Sequence, residues 1–202
     1  MSTIDTYSSN KLQNYEVAFS DNVYNPVHDD PYTNNVILIP DNKYTDKNII
    51  ETEKDTEITV FDAASYILEH LPDKACSTMK LHKLLYYSQA WSLVWDECPL
   101  FKENIEAWAN GPVIPELFYY HKGLFTISFN KFSIGNSKRL NEIQRNTVNS
   151  VLEFYGDKNA QWLIDLTHME DPWKNARKGL RNNERSNKII HLDDIANYYS
   201  SL

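Results

Sequence analysis

The chain has 202 residues, 42% of them hydrophobic, enough for one domain with a sizeable core and an appendage. Its net charge of −8 sits mostly in residues 1–57, with 11 acidic and 4 basic side chains (a balance of −7), whereas residues 58–202 carry 17 and 16 (−1). A neutral body with an acidic extension disfavours broad nucleic-acid binding, which needs basic surface to displace phosphate counterions. No apolar run approaches the ~18 residues needed to cross a bilayer. The N-terminal residues lack the basic start and apolar stretch of a signal peptide. Two unpaired-looking cysteines, Cys76 and Cys98, fit a reducing interior, so the expected location is the cytoplasm.

Residues 1–57 are rich in Asn, Asp, Thr and Tyr and show no sustained period, which predicts an acidic, largely irregular N-terminal extension. Within it, the β-branched run Val36–Ile39, closed by Pro40, and a series of tyrosines (Tyr7, Tyr15, Tyr24, Tyr32, Tyr44) fit two roles: a clip on the chain's own domain or a partner-binding arm. The second region, 58–202, is expected to be a compact, mainly α domain with a minor β-hairpin.

Thr59 and Asp62 have capping-box spacing and open an amphipathic helix that Pro72 ends. Ser77 or Thr78 caps the next helix, placed at about 79–95. Leu81, Leu84, Leu85, Ser88, Trp91 and Trp95 share one of its faces, while Tyr87, Ala90 and Val94 widen the apolar surface, so this helix should lie centrally. Across it His82, Tyr86 and Gln89 form a polar and aromatic stripe. Such a stripe either satisfies nearby backbone turns or walls a partner groove.

Ile105–Trp108 alternates like a strand, and Asn110-Gly111-Pro112 makes a stiff turn. Pro115 fits the first turn of a short helix that Gly123 closes. Phe125–Ile134 reads as a second strand or extended loop, Ser137–Tyr155 as a helix stopped at Gly156, and about 159–167 and the stretch after Leu192 as further helices. Between these, THMEDPW predicts a helix end, an acidic cap at Asp171, Pro172 at the first helical position and a buried Trp173. The stretch 174–188 has six basic and one acidic side chain, a balance of +5, which reads as a solvated face more readily than a phosphate contact.

The five glycines are too widely spaced for a phosphate loop, and no histidine stands three or four residues from another histidine or a cysteine. No cofactor and no metal are expected. A pairing of His168 with Glu170, or a nucleophilic Cys98, is the only catalytic alternative, and neither has a supporting motif; the chain is not expected to be an enzyme.

TMKLHKLLYYSQAWSL, PLFKENIEAW, GPVIPELFYY, LTHMEDPW and IIHLDDIANYY, in that order over about 59–200, resemble the Panacea domain, an antitoxin family that includes SocA-like and phage-associated proteins. The resemblance implies a non-enzymatic helical domain that neutralises a cognate protein toxin, encoded by the neighbouring gene, by direct binding. A SocA-like alternative delivers the toxin to a bacterial protease as a proteolytic adaptor, and a phage-encoded protein could instead bind a host factor. If the family's signature turn carries over, Trp108, Gly111, Pro112, Val113, Pro115 and Glu116 are its positions here. With the His82, Tyr86 and Gln89 stripe they form the expected partner-binding set.

Overall fold

The computed structural model describes residues 57–202; the expectations for the N-terminal extension and its Val36–Ile39 run lie outside the described residues. The described residues contain seven α-helices and two small two-stranded sheets, so the domain is mainly α. In chain order they are α1 (Val60–His70), β1 (Ala75–Ser77), α2 (Thr78–Trp95), β2 (Glu106–Trp108), β3 (Gly111–Val113), α3 (Pro115–His121), β4 (Thr126–Ser128), α4 (Glu142–Tyr155), α5 (Ala160–Met169), α6 (Asp171–Ala176) and α7 (Leu192–Tyr199).

Helix α1 starts where the Thr59 side chain accepts from the Asp62 amide and Asp62 returns a bond to the Thr59 amide, the reciprocal cap expected from the spacing. Asp62 does more than cap. Its carboxylate also accepts from the Asn136 amide and pairs with Arg139 at 2.8 Å, which pins the 136–139 turn against α1. A Cβ at Gly135 would run into the Phe61 carbonyl, so glycine is what lets that turn approach the helix backbone.

Twelve consecutive residues of α2, Leu81 to Ser92, are all buried. A helix apolar or satisfied on every side must be wrapped by its neighbours, and α1, α4, α5, α7 and the β2–β3 hairpin all pack on it. The aromatic side of this core is tight: Tyr87 stacks on Tyr155 at 4.2 Å and Trp91 meets Tyr199 edge-on at 5.3 Å.

The hairpin is antiparallel, with Trp108 opposite Gly111, Ala107 opposite Pro112 and Glu106 opposite Val113. Its outer edge is covered, since Ala107 donates to the Lys188 carbonyl and Ile190 to that of Ile105. The second sheet was not expected: Ala75–Ser77 pairs with Thr126–Ser128, joining the segment before α2 to the segment after α3. Two further boundaries differ. Residues 137–139 form a separate 3-10 turn, and α4 starts only at Glu142, where Asn141 and Gln144 form their own capping box. The cap of α6 is Glu170 rather than Asp171, with Pro172 one position later than expected, because Glu170 closes α5 and opens α6 at a single residue. Its side chain is used elsewhere.

Candidate partner-binding region

The stripe on α2 turns inward, and His82 and Gln89 are spent on the segments packed around the helix. Gln89 accepts from the amides of Leu100 and Phe101 at 2.9 and 3.1 Å and donates to the Phe101 carbonyl at 3.0 Å, so one carboxamide fixes the loop leading to β2. His82 Nδ1 accepts from the Ile114 amide, which leaves Nε2 to carry the proton and donate to His121 Nε2 at 2.9 Å. Burial, reinforced by the neighbouring Lys83 and His121, holds His82 well below the usual histidine range, and burial lowers His121 as well. The ring of Tyr86 meets that of Tyr199 edge-on at 6.2 Å, and its hydroxyl has no hydrogen-bond partner among the described residues. All three side chains are buried.

Lys83, one residue along, is fully buried, and its amine donates to the Pro112 carbonyl at 3.0 Å. Burial pulls its amine down from 10.5 to about 7. The hairpin makes room for it: Gly111 adopts φ +94°, and a Cβ there would lie 2.6 Å from Lys83 Cε and 2.8 Å from Thr167 Oγ1. Glycine at 111 therefore serves both the turn and the lysine beneath it.

Behind the hairpin, Trp173 donates to the Trp108 carbonyl at 2.9 Å and Arg177 donates to the Ala107 carbonyl at 2.9 Å. Arg177 also donates to the carbonyls of Arg181, Asn182 and Glu184, so it braces the basic stretch from within while Lys174 pairs with Asp171. The remaining cations of that stretch, Lys178, Arg181, Arg185 and Lys188, stay at its surface.

His168 and Glu170 belong to different clusters. The His168 ring stacks on Trp173 at 4.0 Å. The Glu170 carboxylate, 3% exposed, accepts from the hydroxyls of Tyr87 and Tyr199 at 3.2 and 2.8 Å, and burial raises it from 4.5 to about 8. Two side chains consumed in separate packing roles do not form the converging pair that acid–base chemistry requires. Cys76 is not an activated thiol either, because burial pushes it up to about 12.

Of the expected turn positions, Gly111, Pro112 and Val113 are buried, Trp108 and Pro115 are half-buried, and Glu116 is exposed. Trp108 donates to the Glu106 carboxylate at 2.7 Å and meets Phe118 edge-on at 4.7 Å. The exposed apolar groups that the sequence did not single out follow directly: Tyr119 and Tyr120 on α3, then Leu124 and Phe125, the last 83% exposed. Helical spacing alone could have flagged Tyr119, because Leu117 and His121 face the core on the opposite side.

The fold and this region define a small helical domain whose polar interior is sealed and whose apolar side chains emerge beside a hairpin. Residues 81–174 match the family model of the antitoxin SocA-like, Panacea domain, a stretch that runs from within α2 into α6. No curated protein and no solved structure matches the chain. Among the described residues, no helix is long and apolar enough to cross a membrane.

Proposed function

We propose that the chain is an antitoxin that neutralises a cognate protein toxin by direct, non-covalent binding in the cytoplasm. The match over 81–174 carries this reading. The geometry agrees with it, since His82, Lys83 and Gln89 of the matched segment are committed to internal turns and several aromatic and aliphatic side chains, Tyr119, Leu124 and Phe125 among them, are left outside. Trp108, Pro115 and Glu116 are the turn positions that a toxin can touch. Gly111, Pro112, Val113, His82, Tyr86 and Gln89 act on the contact by fixing the hairpin and the start of α3. Co-expression with the product of the neighbouring gene tests the reading. Growth arrest by that product alone, rescue by the full chain and co-elution of the two are expected. A product harmless on its own overturns it, and protease-dependent disappearance of the toxin would replace it with the adaptor mechanism.

A further inference from the structure

In the β1–β4 sheet, β4 has an outer edge. Thr78 donates to the Phe125 carbonyl and Phe129 to the Lys74 carbonyl, which makes Ser77–Thr126 and Ala75–Ser128 the widely spaced pairs of the ladder and Cys76–Ile127 the hydrogen-bonded one. The N–H and C=O of Thr126 and of Ser128 therefore point away from β1. Among the described residues the two amides and the Thr126 carbonyl have no hydrogen-bond partner, while the Ser128 carbonyl opens the 3-10 turn Phe129–Lys131. Thr126 is exposed and Ser128 half-buried, so the groups face solvent along a strand that neither a charge within it nor a proline protects. Leu124 and Phe125, 56% and 83% exposed, stand at the head of the strand, and Tyr119, 67% exposed, lies one helical turn before them. Unpaired backbone groups next to exposed apolar side chains are what a strand-adding ligand uses: main-chain bonds hold it and the side chains select it.

The charge around this edge has one sign. Residues 117–141 contain no Asp or Glu but include Lys122, Lys131, Lys138 and Arg139, of which Arg139 is offset by Asp62. Lys122 and Lys131 are exposed at the two ends of the strand. A second copy of this chain is a poor occupant. Antiparallel pairing of β4 with itself would set Thr126 opposite Ser128 and hence Gly123 opposite Lys131, bringing Lys122 and Lys131 of the two copies together twice as like charges.

We propose that the outer edge of β4 is a docking site at which an extended segment of a partner protein, alternating apolar and acidic residues, adds as a third strand. This deepens the antitoxin reading and rests on it only for the existence of a protein partner. The probe is the blocked peptide acetyl-EVEIEVE-amide, with acetyl-KVKIKVK-amide as its charge-reversed control, titrated into the isotope-labelled full chain. The expected result is perturbation and slowed exchange of the Thr126 and Ser128 amides, with the acidic peptide binding at least about tenfold tighter at low salt. Thr126→Pro removes one outward N–H without touching the ladder to β1 and should abolish the tighter binding. Phe125→Ser, at an exposed position, should weaken it while leaving the fold intact, and Lys122→Glu with Lys131→Glu should reverse the preference. Unchanged Thr126 and Ser128 amides, equal binding of the two peptides, or self-association through β4 overturns the proposal. Because the peptides need no toxin, a harmless neighbouring gene product would sink the antitoxin reading and leave this result standing.

Discussion

Lys83 occupies the space that a side chain at Gly111 would need: a Cβ on Gly111 would come within 2.6 Å of Lys83 Cε. The hairpin turn and the buried amine on α2 are thus one packing unit, tied by the 3.0 Å bond from Lys83 to the Pro112 carbonyl. Gly111→Ala should destabilise the domain by about 2–4 kcal/mol, combining the cost of a left-handed residue with overpacking. Urea unfolding followed by tryptophan fluorescence measures this, and a loss below about 1 kcal/mol would mean that the lysine withdraws at little cost.

The same lysine should write a signature into stability against pH. Its folded pKa, about 7, lies below the ordinary 10.5, so the unfolded chain binds more protons between those values and stability rises with pH across that window. Lys83→Met should flatten the rise, worth roughly 3–5 kcal/mol at 1.4 per pH unit. Melting temperatures of the two proteins from pH 7 to 10 should converge at the alkaline end if the account holds.

Glu170 works in the opposite sense. Its folded pKa, about 8, lies above the ordinary 4.5, so the folded state holds the extra proton and its contribution is full at acid pH and falls as pH rises toward 8. Glu170→Gln keeps the volume and one acceptor for Tyr87 or Tyr199 and removes the ionisation. The variant should therefore gain on the parent protein steadily between pH 5 and 8, as read by parallel thermal melts. Parallel curves would show that the carboxyl is ionised throughout.

Replacing Gln89 by Leu should cost about 2–4 kcal/mol, because three buried backbone groups at Leu100 and Phe101 lose their partner while the helix loses almost no volume. Faster amide exchange confined to residues 98–105 would locate the damage in the loop ahead of the hairpin.

Arg177→Lys should loosen residues 181–188 although the charge is kept. The guanidinium reaches four carbonyls from one plane, which a single ammonium cannot do. Limited trypsin digestion should cut the variant first at Arg181 or Arg185. An unchanged digestion pattern would show that the loop holds without this brace.

Much of the helical plan was legible because its signals are local. Thr59 with Asp62, Pro115 and Gly123 each state a helix end within a few residues, and the apolar breadth of 81–95 foretold a central rod. What escaped depends on distant partners. Ala75–Ser77 is too short to alternate and becomes a strand only because Thr126–Ser128 lies beside it. Lys83 and Arg177 look like surface cations in any local window, and their burial is set by the Pro112 and Ala107 carbonyls of the hairpin. The exposed apolar groups escaped similarly, since Leu124 and Phe125 differ from core residues in that, among the described residues, they stay exposed.

The enclosure of α2 also limits how such a protein can change its allegiance. With every position from Leu81 to Ser92 enclosed, a substitution there alters the fold before it alters a contact. On the antitoxin reading proposed above, variation that retunes partner choice without cost to folding falls on exposed positions such as Glu116, Tyr119, Leu124, Phe125 and the 178–188 cations. A library confined to those positions should yield new specificities at a far higher rate than one spread over the matched segment.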